Sequence, residues 1–214
     1  MTSGTSRTLP DLASFEDGEA RTSLAHLDDS PWGIGGMANW VIPGRLVAGG
    51  FLALTDPEAT AVLWSALLGE LGVTTVVCLN TDDELRFLED YTARAREAGV
   101  NVVRLPIRDG GTADDDELVR LVLLVARCLR EGANIYVHCL AGRGRTGVVC
   151  AAVLVAVYGL SADAALALIQ RFHDSRISPF GRGARSPEND VQRAQVHRVA
   201  KRPELRGALE HPPE

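Results

Sequence analysis

The sequence predicts an α/β domain with a central, largely parallel sheet flanked by helices and a helical C-terminal part. Short apolar, β-branched runs alternate with helix-length segments up to residue 137, the order of consecutive strand–helix–strand units. The best of these runs, residues 73–79, is apolar at nearly every position rather than at every second one, as expected for a strand covered on both faces. Beyond residue 137 the pattern is helical throughout.

The elements follow in chain order. Residues 1–37 are polar and aperiodic and end in Gly33-Ile-Gly-Gly36; they read as a partly disordered N-terminal extension. Regular patterning begins at Trp40, and the main domain is placed at residues 38–205, with a tail at 206–214. Residues 45–48 form a short strand stopped by Gly49-Gly50. Asp56 and Pro57 suit the N-cap and first position of a helix running to about residue 71, where Gly72 ends it. The strand at 73–79 precedes a helix over 82–98, closed by Gly99, and a strand at 101–105. A loop carrying Gly110-Gly111 leads to an amphipathic helix over 114–130 with acidic residues at its positive end. A strand at 134–137 is followed by helices over 145–158, 162–173 and 187–201.

Composition narrows the function. The chain has 214 residues and a net charge of −6, a poor balance for gripping nucleic acid through bulk charge. No nucleic-acid partner is expected. The longest apolar run, residues 148–160, is too short to span a bilayer and reads as a buried helix. Acidic residues near the start replace the apolar core of a signal peptide, so a cytoplasmic location is expected. Cys78, Cys128 and Cys150 sit in apolar runs, as buried free thiols do, and no CxxC pair suggests a metal site. No cofactor or metal is expected.

The segment Val137-His-Cys-Leu-Ala-Gly-Arg-Gly-Arg-Thr-Gly147 carries the chemistry. A buried strand runs into a glycine-rich loop and the loop into an apolar helix, which is the layout of an anion site: backbone N–H groups converge and the helix adds its positive end. Such a position favours the thiolate form of a cysteine. Five residues separate Cys139 from Arg145, which lets the guanidinium face the sulfur across a bound phosphate and grip two of its oxygens. A nucleotide-binding Walker loop is excluded, because Gly144-Arg-Thr stands where Lys-Ser/Thr is required.

His-Cys-x5-Arg-Thr-Gly is the signature of the protein tyrosine phosphatase superfamily, and the chain is identified by it as a member. Upstream, Pro106-Ile-Arg-Asp-Gly-Gly111 resembles the Pro-Ile-x-Asp-Gly-Gly loop of the cyclin-dependent-kinase-inhibitor phosphatases, a dual-specificity subgroup. The resemblance covers about residues 40–200 and implies a phosphate monoester hydrolase working through a cysteinyl-phosphate on Cys139. Arg145 would then bind phosphate together with the loop residues Leu140, Ala141, Gly142, Arg143 and Gly144, and Asp109 would protonate the leaving oxygen. Asp114, Asp115 and Asp116 are rival acids, although a helix start accounts for them. Thr146 would hydrogen-bond the Cys139 sulfur and His138 would orient the loop. Ser186-Pro-Glu-Asn-Asp-Val-Gln192 resembles a Pro-Glu-Thr-x-x-Gln segment whose glutamine places the hydrolytic water; Asn189 replaces the usual threonine, and Gln195 competes with Gln192. Cys78 is a further candidate, as a redox partner of Cys139.

Three substrate readings stay open at this point. The first is a phosphoprotein bearing phosphotyrosine, alone or together with phosphoserine and phosphothreonine. The second is a phosphoinositide or other small phosphate ester, because the loop resembles the lipid-phosphatase form Cys-Lys-Ala-Gly-Lys-Gly-Arg-Thr with Arg143 at one of its two extra cations. The third is a catalytically dead binding module, which the retention of Cys139, Arg145 and Asp109 opposes.

Overall fold

The computed structural model describes residues 8–12, 22–27, 34–52, 57–88, 91–178 and 183–207. Five strands form one sheet in the order β1-β2-β5-β3-β4: β1 (Ala38–Ile42), β2 (Leu46–Gly49), β3 (Thr75–Cys78), β4 (Asn101–Arg104) and β5 (Ile135–His138). β1 is antiparallel to β2, and every other pairing is parallel. The largely parallel sheet expected from the alternating pattern is therefore present, with β1 added as an antiparallel edge strand and the strand ending in His138 at its centre.

Alternation along the strands sorts the core into two layers. Val77, Leu79, Ile135, Val137 and Cys139 face one cluster, while Val76, Cys78 and Tyr136 face the other. The first layer is covered by α5 (Asp115–Arg130), α6 (Gly144–Tyr158), α7 (Ala162–His173) and α8 (Asp190–Val199). Helix α6 is the centre of this layer: every residue from Gly144 to Val157 is buried, the fate of the apolar run at 148–160. The second layer lies under α2 (Pro57–Ser65), α3 (Asp82–Phe87) and α4 (Thr92–Glu97). Among the described residues no helix is long and apolar enough to cross a membrane.

Several boundaries differ from the sequence reading. A strand β1 precedes β2, and its partner across the tight turn supplies the pairing that pattern alone did not reveal. The helix expected over 57–71 passes at Ala66–Glu70 into a π-helical turn; the wider turn buries Leu67 and Leu71 while Leu68 and Glu70 stay exposed. Asp56, read as the cap of that helix, lies outside the described residues. The single helix expected over 82–98 is two helices. Leu88 turns extended, at φ −99° and ψ 158°, and Tyr91 drops into the core at 1% exposure against Phe51, Trp64 and His138. Burial of that ring outweighs helix propensity. A short α9 (Pro203–Gly207) follows α8, with Leu205 buried. A four-residue turn of helix, α1 (Ile34–Met37), leads into β1.

Parts of the N-terminal stretch pack on this body. Leu24 is buried, the Trp40 N–H donates to the Thr22 carbonyl at 2.8 Å, and the Tyr158 hydroxyl donates to the Pro10 carbonyl at 2.9 Å.

Candidate active site

The loop between β5 and α6 is shaped by what lies behind it. Gly142 adopts φ +65°, and a Cβ there would stand 2.2 Å from the Gly49 carbonyl carbon, so only glycine permits this close approach. The carbonyls of the loop are all turned outward. That of Leu140 accepts from the Phe51 N–H at 3.0 Å, those of Ala141 and Gly142 from the Arg176 guanidinium at 3.3 and 2.9 Å, and that of Arg143 from the Ser186 hydroxyl at 3.0 Å. In a planar trans peptide the N–H points opposite its carbonyl. The N–H groups of Ala141, Gly142, Arg143 and Gly144 therefore turn to the other, concave side. Cys139, 3% exposed, opens this loop at the end of the central strand, and the N-terminus of α6 closes it.

Arg176 is the main residue that sequence reasoning missed. It is 3% exposed and also donates to Asn39 Oδ1 and the Ala48 carbonyl, so it ties β1 and β2 to the loop. No carboxylate pairs with it in these bonds; burial lowers its pKa to about 10. The lone signal in the sequence was a basic residue just after an amphipathic helix, which says nothing of burial.

Arg145 is held in place from behind. Its side chain is 1% exposed, and Glu84 receives both terminal nitrogens, at 2.8 and 2.9 Å. The Ile107 carbonyl accepts a third bond at 2.9 Å. Glu84 serves two purposes: it also completes a capping box with Thr81 at the start of α3. Burial alone would raise its carboxyl, but the bonds from Arg145 and Thr81 prevail and lower it to about 2. Sequence reasoning missed Glu84 as well, although Thr81-x-x-Glu84 was visible as a capping box.

At this one place three buried polar atoms have no hydrogen-bond partner among the described residues: Arg145 Nε, Arg143 Nε and Thr146 Oγ1. Buried donors are ordinarily satisfied, so donors left over around an N–H-lined loop fit an oxyanion. The bond expected from Thr146 to the Cys139 sulfur is absent.

The loop bearing Asp109 closes over the other side. Asp109 Oδ1 accepts from Arg145 Nη2 at 2.8 Å, with the Asp109 side chain 69% exposed. Asn189 caps α8 and reaches across to the Gly110 carbonyl at 2.9 Å; Gln192, fully buried, donates to the Gly111 carbonyl at 3.3 Å. A Cβ on Gly144 would lie 2.9 Å from the Gln192 amide, so Gln192 borders the loop. Gln195 instead donates to the Ala113 carbonyl and Asp115. The rival acids are occupied elsewhere: Asp114 caps α5, Asp115 pairs with Arg198, and Asp116 with Arg202.

His138 is fully buried. Its Nδ1–H donates to the Cys139 carbonyl at 3.2 Å, which leaves Nε2 to accept from the Tyr91 hydroxyl at 2.5 Å. Burial lowers its pKa to about 4, so at neutral pH it is an uncharged brace on the backbone. Cys78 is registered beside His138 but packs in the Tyr91–Tyr136 layer, whereas Cys139 and Cys150 pack in the other. No group of metal-binding side chains occurs among the described residues.

A strand–loop–helix anion site with a cysteine and a buried arginine defines a phosphate-handling domain of the tyrosine phosphatase type. The family model of the Swiss Army Knife DSP-PTPase phosphatase domain, PTP-SAK, matches residues 36–189, and the chain belongs to that family. Among curated proteins, a candidate tyrosine phosphatase of Invertebrate iridescent virus 3 is 35% identical over 80 residues, 36% of this chain and 33% of that one. The human phosphatidylglycerophosphatase and protein-tyrosine phosphatase 1 is 31% identical over 106 residues, 49% of this chain and 53% of that one. The chain thus spans a third to about half the length of these relatives. Among solved structures, a mutant form of Tk-PTP superposes with a TM-score of 0.61 at 25% identity, over 79% of this chain and 97% of that one. The kinase-associated phosphatase shares the fold, with a TM-score of 0.58 at 16% identity over 73% and 88% of the two chains.

Proposed function

We propose that the chain hydrolyses phosphate monoesters of the phosphotyrosine or dual-specificity kind through a cysteinyl-phosphate on Cys139. The observation that carries this is the set of unpartnered buried donors around a loop whose carbonyls all face away from Cys139's side. A tetrahedral phosphoryl group would meet the loop N–H groups and Arg145 Nε. Cys139, as thiolate, attacks phosphorus; the S–P bond forms as the bond to the leaving oxygen breaks, and Asp109 gives that oxygen its proton. Water, placed by Gln192, then attacks phosphorus and returns a proton to the Asp109 carboxylate. The S–P bond breaks, releasing inorganic phosphate and restoring the thiolate. Leu140 through Arg145 form the phosphate cradle, Glu84 and Arg176 fix its shape, and His138 braces Cys139 through its carbonyl. Thr146 Oγ1, buried and with no partner among the described residues, is placed to meet a phosphate oxygen. The chemistry is consistent with a cytoplasmic setting, where Cys139 stays reduced.

A lipid or small-ester substrate is the second reading, supported by Arg143 and by the human relative, whose name joins a phosphatidylglycerophosphatase to a protein-tyrosine phosphatase. The test of the chemistry is Cys139→Ser, assayed with para-nitrophenyl phosphate. Without an adjacent base a serine hydroxyl is far too weak a nucleophile, so turnover should vanish while folding and phosphate binding persist. Appreciable turnover by the folded variant would overturn the mechanism.

A further inference from the structure

Arg143 is the residue that made a polyanionic substrate conceivable, and the fold has already committed it. Its Nη2 donates to Glu188 Oε2 at 2.8 Å, with the two side chains only 35% and 24% exposed. Glu188 is held for this purpose: its N–H donates to the Gln192 amide oxygen at 3.1 Å, just ahead of the Asn189 cap of α8. Its carboxylate stands at the seam between the two loops of the site. A Cβ on Gly144 would lie 2.8 Å from Glu188 Cδ, and one on Gly110 would lie 3.8 Å from its Oε1. A negative charge is thus built beside the phosphate loop, on the one loop cation that Arg145's partners do not use.

We infer that Glu188 is a specificity-determining residue: by neutralising Arg143 it restricts this site to esters carrying a single phosphoryl group and rejects substrates with a second phosphate beside the scissile one. This rests on the proposed phosphatase chemistry and adds its substrate class. A second phosphate in reach of Arg143 would have to displace a charge-assisted hydrogen bond and then sit against the freed carboxylate. An ester with one phosphoryl group meets neither obstacle, because the loop N–H groups and Arg145 suffice for it. The loop's likeness to a lipid-phosphatase loop therefore does not carry over to polyphosphorylated headgroups.

The experiment compares phosphotyrosine with inositol 1,3,4,5-tetrakisphosphate, for the wild-type chain and Glu188→Gln, with para-nitrophenyl phosphate as the measure of intact chemistry. The wild type should prefer phosphotyrosine in kcat/KM by at least about tenfold, and Glu188→Gln should shrink that preference by about tenfold, the scale of one added charge-assisted hydrogen bond. Turnover of para-nitrophenyl phosphate should change by less than about threefold, since no transition-state donor is lost. Adding Arg143→Leu to Glu188→Gln should remove the improvement on the tetrakisphosphate. A wild type that turns over the tetrakisphosphate as well as phosphotyrosine overturns the inference even if no variant folds. An unchanged ratio in a folded, active Glu188→Gln overturns it equally. A wild type inert toward para-nitrophenyl phosphate would instead overturn the phosphatase reading beneath it.

Discussion

Replacing Glu84 with glutamine tests how the site is held together. The substitution keeps size and shape but removes the charge that pairs with Arg145, a guanidinium whose side chain is 1% exposed. The wild-type carboxyl is lowered from 4.5 to about 2, and by linkage that difference is worth about 3 kcal/mol of folding free energy at neutral pH. Glu84 is 21% exposed, so solvent trims this, and a loss of about 2–3 kcal/mol is expected, near the lower end for breaking a buried pair. In a chain of this size each kcal/mol moves Tm by about 2–4 °C, which places the drop at about 4–12 °C. The sign with pH follows from a folded pKa below the unfolded one: the stabilisation is complete above about 4.5 and is lost as pH falls toward 2. Less than half of it should survive at pH 3. Urea unfolding of both proteins at pH 7, 5 and 3 measures the gap directly. A gap that is absent at pH 7, or the same size at pH 3, would refute the reasoning.

Other variants separate positions in the same site. Asp109→Ala should slow tyrosyl and alkyl phosphates by about 10²–10⁴-fold and aryl phosphates of acidic phenols far less; equal slowing of both in a steady-state comparison removes Asp109 as the acid. Arg176→Met should cost more than about 3 kcal/mol, because several buried carbonyls lose their donor together at about 1–3 kcal/mol each. Inorganic phosphate should also bind the variant more weakly in competition assays, and an unchanged inhibition constant would show that Arg176 does not shape the loop. Asn189→Ala should lose about 1 kcal/mol of helix capping, read as a fall in Tm. Asn189→Asp keeps the cap but not the bond to Gly110, so its Tm should hold while turnover of tyrosyl phosphates falls.

Much of the site was legible before any fold was known. Cys139, Arg145 and the cradle between them lie within seven consecutive residues, and local chemistry dictates what a strand, a glycine-rich loop and a helix start can bind. Asp109 was readable from its own loop, and the geometry that separates it from Asp114, Asp115 and Asp116 came from their partners: a helix cap, Arg198 and Arg202. The segment resemblance favours Gln192, with Gln195 as its competitor; both are buried on α8, and the neighbour each one meets, Gly111 for Gln192 and Ala113 with Asp115 for Gln195, distinguishes them.

The mostly parallel sheet, the burial of α6 and the candidate phosphate-binding segment around Cys139 could all be read from the chain, because period, glycine placement and local spacing are short-range properties. Tertiary structure alone decided the rest. Tyr91 broke a helix that local propensity would have continued, since burying its ring against Phe51, Trp64 and His138 outweighs one more helical turn. Glu84 and Glu188 lie 61 and 45 residues from the arginines they hold. Arg176 reaches the loop from 34 and 35 residues beyond the carbonyls it binds. Charges so far apart in the chain can be matched only after the strands have been ordered, because a carboxylate gains its meaning from the cation that folding brings to it.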